Sequence, residues 1–191
     1  MITRDKNAFN VYNLGFTTQQ TNDAVALFSN SHTTLNGTTV DNLETGTLTD
    51  ANFEALMNSL REQKGQDGVV LGYEPVLLLT PTALHKEAQI ITKSTLRSGT
   101  ANNDLNYYSQ IYPGLRVYFS PFLGANEGGS DTAYFVGGRS HGMYRWAREG
   151  VQTDLIDYKL QRNNNYIYKS FFREVVGPIS YEGLVASDGS V

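Results

Sequence analysis

The apolar residues Val76-Leu77-Leu78-Leu79 run without a polar break into Thr80-Pro81, and this junction restricts the possible folds more than any other stretch. A strand that shows no alternation offers water neither face, so it is expected to be buried on both sides. Thr80-Pro81 reads as an N-cap followed by an N1 proline, whose missing N–H costs nothing at a helix start. Leu84, Ala88 and Ile91 then carry one apolar stripe to about Lys93.

A second helix is expected upstream. Thr49 is the N-cap, Asp50 complements the dipole, and Phe53, Leu56, Met57 and Leu60 fall at i, i+3, i+4 and i+7. Arg61, Lys64 and Gly65 supply a basic last turn and a glycine stop. Strands are expected at Val69-Val70-Leu71, at 115–119, at Ala133-Tyr134-Phe135-Val136, at Met143-Tyr144-Arg145-Trp146 as a neighbour of that strand, and at 155–160 and 166–176. Residues 1–30 read as a short helical stretch with an irregular tail ending at Leu27-Phe28. Residues 29–48, rich in turn formers and threonine, read as a surface loop or loose hairpin with no core element. The region 94–114 reads as polar connection. Helix, strands, helix and then mostly strands, without regular alternation or repeats, favours an α+β fold over a doubly wound sheet.

Composition narrows the function classes. The chain has 191 residues, 40% hydrophobic and 18% charged, which is a folding composition. It has no cysteine, so disulfides, thiolate metal sites and cysteine nucleophiles are excluded together. Fifteen Lys and Arg against nineteen Asp and Glu leave a net charge of −4, which offers no general basic field for a polyanion or an anionic membrane. No apolar run approaches the roughly 20 residues that span a bilayer.

The candidate chemistry is sparse. His32, His85 and His141 lie in three separate segments, with no His-Glu-x-x-His spacing. His85 reads as a surface or half-buried helical histidine, while His32 and His141 sit in turn-rich sequence and could converge. Gly137-Gly138-Arg139-Ser140-His141-Gly142 has the glycines and arginine of an anion loop, but matches neither phosphate-loop nor dinucleotide spacing. A tight turn between strands explains it better. Ser140 and His141 as nucleophile and base would define a small hydrolase, although adjacent residues on an extended chain point apart. Asp154 with Asp157, and Glu44 with Asp50, read as solvated surface. Arg139, Arg145 and Arg148, interleaved with Tyr144 and Trp146, suit either single-stranded nucleic acid or a subunit interface, and the interface is preferred. A platform of Tyr134, Tyr144 and Trp146 would instead mark a carbohydrate- or partner-binding β-module. No cofactor or metal is expected.

The segment 23–32, Asp-Ala-Val-Ala-Leu-Phe-Ser-Asn-Ser-His, resembles a block of tailed-bacteriophage major capsid proteins, and later blocks keep that family's order. They are 48–57 with its helix, 63–68 with the following turn, Glu74-Pro75-Val76-Leu77-Leu78-Leu79-Thr80-Pro81 with Glu87-Ala88 behind it, Asn102 to Asn106 before the strand at 115–119, and 181–187. The resemblance covers about residues 9–190. It implies the Hong Kong 97-like fold of the Mu-like and related head proteins, with a mixed sheet flanked by helices. Residues 1–29 would be a remnant of the peripheral domain, 30–160 the axial-like region and 161–191 returning peripheral strands.

The resemblance further implies a major capsid subunit of a phage or prophage, forming pentamers and hexamers around double-stranded DNA. Portal and scaffold proteins would be its partners, the virion capsid its location, and the host bacterial cytoplasm its place of assembly. Arg139, Arg145, Trp146 and Arg148 are its hypothetical contact residues. The same fold leaves an encapsulin-type compartment shell as the alternative. The N-terminal arm, extended loop and long spine helix of full-length members are not recognisable here, and Met1 opens almost directly into the pattern Phe9, Tyr12, Phe16. The chain is therefore expected to correspond to a C-terminal portion.

Overall fold

The computed structural model describes residues 2–97, 104–156 and 167–190. Along the chain come α1 (Ile2–Leu14), β1 (His32–Thr33), β2 (Thr39–Val40), β3 (Leu43–Glu44), α2 (Asp50–Glu62) and β4 (Pro75–Pro81). A 3-10 turn at Thr82–Leu84 leads into α3 (His85–Lys93), followed by α4 (Tyr107–Ile111) and β5 (Arg116–Ser120). The last elements are β6 (Tyr134–Gly138), β7 (Met143–Ile156), β8 (Ile167–Pro178) and β9 (Leu184–Ser187).

Five of the strands form one mixed sheet in the order β3-β9-β6-β4-β5. β4 runs parallel to β5 and antiparallel to β6, β6 is antiparallel to β9, and β9 is parallel to β3. Alternation on these strands divides the core in two. Leu78, Tyr134, Val136 and Val185 face one side, where they meet Phe53, Leu56, Met57 and Leu60 of α2 together with Ala88 of α3 and Tyr108 of α4. Leu79, Phe135, Leu184 and Ala186 face the other, against Leu27, Phe28, Leu123 and the partly buried Phe9, Tyr12 and Phe16. The rings of Phe16, Phe28 and Phe135 lie 5.3 to 5.7 Å apart in tilted contacts. The class is thus α+β, a mixed sheet flanked by helices, as the sequence indicates.

The α2 helix forms where its spacing places it. Thr49 Oγ1 accepts from the Asn52 N–H at 3.2 Å, and all four stripe residues are buried. Each is worth about 2 kcal/mol by burial alone. The expected glycine stop differs. The helix ends at Glu62 with Gln63 as C-cap, because the Gln63 side chain turns inward, accepting from the Gly183 N–H at 2.7 Å and donating to the Tyr181 and Leu184 carbonyls at 3.4 Å.

Several expectations need correction. Thr80 is a buried strand residue, and Pro81 ends β4 and heads the 3-10 turn, so the helix proper starts four residues later than the proline signal suggests. Val69-Val70-Leu71 is no strand of a sheet: Val70 makes one isolated bridge to Lys64, and the three side chains are exposed. The region 94–114 contains α4, which Asn106 caps by accepting from the Tyr108 N–H at 3.0 Å. The strand at 116–120, expected at 115–119, is an edge strand with Tyr118 and Phe119 exposed. Residues 29–48 do contain a hairpin, β1 with β2, but they also contribute to the core: β3 joins the main sheet, and His32, Asn42 and Leu48 are buried.

β7 does not neighbour β6 in a sheet. It pairs only with β8, antiparallel from Met143↔Pro178 to Ile156↔Ile167, making a separate two-stranded ribbon with irregular register at Ala147/Glu149 and Glu149/Gln152. The parts of the expected strands at 157–160 and at Tyr166 lie outside the described residues, as do Asp157 and 98–103. The ribbon straddles the boundary at 160, and β9 lies in the five-stranded sheet between β3 and β6.

Candidate functional site

Where β6 ends, Gly137 and Gly138 still belong to the strand, and the turn proper is 139–142. It is tied to 179–183 by backbone bonds: Gly138 N–H to Gly183 O at 2.9 Å, Gly142 N–H to Glu182 O at 3.0 Å, and Ile179 N–H to Gly142 O at 2.8 Å. A Cβ on Gly142 would lie 2.1 Å from the Ser180 carbonyl oxygen, so only glycine fits this crossing. The glycine-rich segment is therefore a turn that sends the chain out of the sheet and into the ribbon.

The base of the ribbon packs on α1. Glu174 anchors it, accepting from Arg4 Nε at 2.7 Å and pairing with Arg145 Nε at 3.6 Å. An apolar groove lined by Phe9, Tyr12, Met143 and Val176 separates helix from ribbon, with His141 and Arg145 at its rim. Burial pushes the Tyr12 phenol up to about 12, so it stays neutral there. The opposite face of the ribbon carries Tyr144 and Trp146, whose rings are 6.0 Å apart, and Val175 directly across from Trp146. All three are exposed, as are Val151, Leu155 and Tyr168 further along. Two strands cannot bury both of their faces against each other, so these apolar side chains are left open to a partner.

The contact residues expected from sequence occupy several positions around this ribbon. Trp146 stands on the open face, whereas Arg145, one residue earlier, points to the α1 side with Glu174, as strand alternation requires. Arg148 is exposed at the first register irregularity, and Arg139 is exposed in the turn before β7. The aromatic platform fails in one member. Tyr134 is fully buried in the main sheet, which leaves only Tyr144 and Trp146 as a surface pair.

The histidines do not converge. His32 is fully buried, stacked on Tyr181 at 4.1 Å, with Nδ1 2.7 Å from Asp23 Oδ2 and Nε2 3.2 Å from the Leu27 carbonyl. Burial raises the Asp23 carboxyl, but hydrogen bonds from Thr21, His32 and the Val25 N–H outweigh it and hold the group below its ordinary value. Asn42 completes this buried polar knot, donating to Leu27 O at 2.8 Å and Leu184 O at 3.3 Å and accepting from the Ser29 N–H at 2.9 Å. Its function is structural: it fastens the irregular segment 19–44 to β9. His85 stacks on Phe119 at 4.1 Å. His141 Nδ1 accepts from the Met143 N–H at 3.3 Å, and among the described residues no carboxylate orients it for the nucleophile and base pairing considered with Ser140. Among the described residues no group of His, Asp and Glu could hold a metal ion, and no helix is long and apolar enough to cross a membrane.

Sequence reasoning missed the α1 groove and the open edge of β5, because both depend on where distant segments dock. The exposed Tyr and Trp of β7 were the only local signal.

Comparison with known proteins bears on what such a surface is for. No curated protein matches the chain. Among solved structures, a phage-related protein of Bordetella bronchiseptica RB50 is similar with a TM-score of 0.56 and 8% identity, over 98% of this chain and 60% of that one. A chain of Mycobacterium phage Ogopogo gives a TM-score of 0.48 and 15% identity, over 97% of this chain and 65% of that one. The chain thus spans less than two thirds of the length of either. A family model described as phage capsid protein matches residues 1–187, from α1 through the sheet and ribbon to β9. With a match of that extent, the chain belongs to the phage capsid protein family.

Proposed function

We propose that this chain is a major head subunit of a tailed phage or prophage, with a Hong Kong 97-like fold, that assembles as pentamers and hexamers into a shell around double-stranded DNA. Assembly takes place in the host bacterial cytoplasm, with portal and scaffold proteins as partners. The observation that carries the reading is the ribbon. Tyr144, Trp146 and Val175 are exposed on a face of the two strands that no third strand or helix of the described residues covers, and Leu155 and Tyr168, paired across the strands, are exposed further along on the other face. Exposed apolar surface of this kind is characteristic of a contact between chains. Repeated heterologous contact around a rotation axis closes rings.

On this reading the five-stranded body is the axial part, and α1 with the ribbon is the peripheral part. Compared with limits at 30–160 and 161–191, β7 moves to the peripheral part and β9 to the axial part. Arg139, Arg145, Trp146 and Arg148 flank the contact, with Trp146 as its aromatic anchor.

Electron microscopy with light scattering tests this on the chain and on the longest product of the reading frame that encodes it. Rings or closed particles are expected, and fewer of them when Trp146 is changed to Ser and Arg139, Arg145 and Arg148 to Glu. Monomers from both products at every concentration and salt would end the proposal.

A further inference from the structure

The two edges of the five-stranded sheet carry opposite charge. Across one end of β6, β4 and the edge strand β5, a shallow pocket is lined by Val76, Leu77, Gly114, Arg116, Gly138, Arg139 and His141, without a carboxylate. Register explains the grouping: Arg116 pairs with Leu77, Leu77 pairs with Gly137, and Arg139 opens the turn just beyond the end of β6. Arg4, Arg97, Arg145 and Arg173 all make ion pairs with carboxylates of their own chain. Arg116 and Arg139 are exposed and make none among the described residues. His141 accepts at Nδ1 from the Met143 N–H, which leaves Nε2 as the proton-bearing donor.

The β3 edge is the counterpart. A groove between the β2–β3 turn and α2 is lined by Asp41, Glu44 and Glu62, with Lys64 as its one cation. Asp41 and Glu62 are exposed and Glu44 is half-buried, and among the described residues no ion pair engages them. Burial first, and then the neighbouring Asp41 charge, push the Glu44 carboxyl up against a hydrogen bond from Ser59. Four strand spacings, roughly 19 Å, separate β3 from β5.

Resting on the capsid reading above, we infer that the Arg116, Arg139 and His141 pocket of one subunit receives the Asp41, Glu44 and Glu62 groove of a second copy, edge to edge around the ring. A heterologous ring needs two different, mutually complementary patches that face outward on opposite sides of the subunit. Opposite edges of one sheet meet that requirement. The occupant is protein, not nucleic acid, because the complement to the pocket lies on the same net-acidic chain.

Charge exchange tests the contact on the longest assembling product of the reading frame. Arg116→Glu with Arg139→Glu, and separately Asp41→Lys with Glu62→Lys, are exposed positions whose folding is checked by thermal melting. Each pair alone is expected to lower the assembled fraction at low salt by about tenfold or more, since like charges meet across the contact. The chain carrying all four substitutions recovers assembly. An equimolar mixture of the two double variants forms only even-membered rings, because the variants must alternate. Normal assembly of either double variant, or no recovery with all four substitutions, overturns the edge contact while particles from the unmodified protein leave the capsid reading intact. Loss of retention on duplex DNA with unchanged assembly overturns it in favour of a phosphate site. No particles from the unmodified protein overturns both.

Discussion

The body and the ribbon are built from similar residues and treat them oppositely. In the body, Tyr134, Phe135 and Val136 disappear into two core clusters because helices cover both sheet faces. In the ribbon, Tyr144, Trp146 and Val175 stay exposed because the fold supplies α1 to one side only. An aromatic residue in a strand therefore says nothing about burial until the layers around the strand are known. The body holds the fold's stability, and the ribbon holds surface for use elsewhere.

The contrast can be tested by substitution. Phe53→Ala, at the first position of the α2 stripe and fully buried, should cost about 3–5 kcal/mol in urea unfolding; a loss below about 1 kcal/mol would mean the body core is not the stabilising unit. Gly142→Ala probes the joint between body and ribbon. Its Cβ meets the Ser180 backbone at 2.1 Å, so a loss of about 2 kcal/mol is expected by the same measurement, with the 138–183 backbone bonds lengthened or broken.

The pH response separates two kinds of carboxylate in the body. Glu44 and Glu182 have raised values, from burial first and then from Asp41 and Asp67 respectively, so the folded state holds their protons more tightly than the unfolded chain does. Their contribution to stability rises as pH falls through the glutamate range. Asp23 is depressed, so its contribution is present above the unfolded aspartate value and is lost as pH falls through its lower folded value. Unfolding followed from neutral to strongly acidic pH should therefore show stability holding or rising first and falling last. Asp23→Asn should remove most of the late fall. The smallest effect belongs to the ribbon: Trp146→Ala should alter stability by less than about 0.5 kcal/mol, and a core-sized loss would show that the ribbon is part of the folding unit.

The α2 stripe, the buried β4 strand and the α+β class could be read from sequence because each depends on local periodicity and capping. Pro81 misled because a proline with extended backbone fits a strand end as well as a helix start. The role of Gln63 was hidden, since a polar residue after a helix gives no sign that its amide will bond Gly183, 120 positions away. Of the proposed contact residues, Trp146 and Arg148 were singled out from aromatic and arginine density, and the structure places both on the exposed surface of the ribbon. The division between Arg145 and Trp146 was not, because it follows from strand parity and from the docking of α1. The charged edges of the sheet were invisible for the same reason: strand order decides which residues sit at an edge.

The placement of β9 has a kinetic consequence. Leu184–Ser187 must insert between β3, some 140 positions earlier, and β6 before the sheet is continuous. Such distant pairing gives a high contact order and slow closure. During synthesis the inner edge of β6 stays unpaired until residue 187 has cleared the ribosome, and the buried amides of Asn42 and Gln63 lack their carbonyl partners at 181 and 184 until then. A chain that has not yet emerged as far as β9 therefore has no finished sheet.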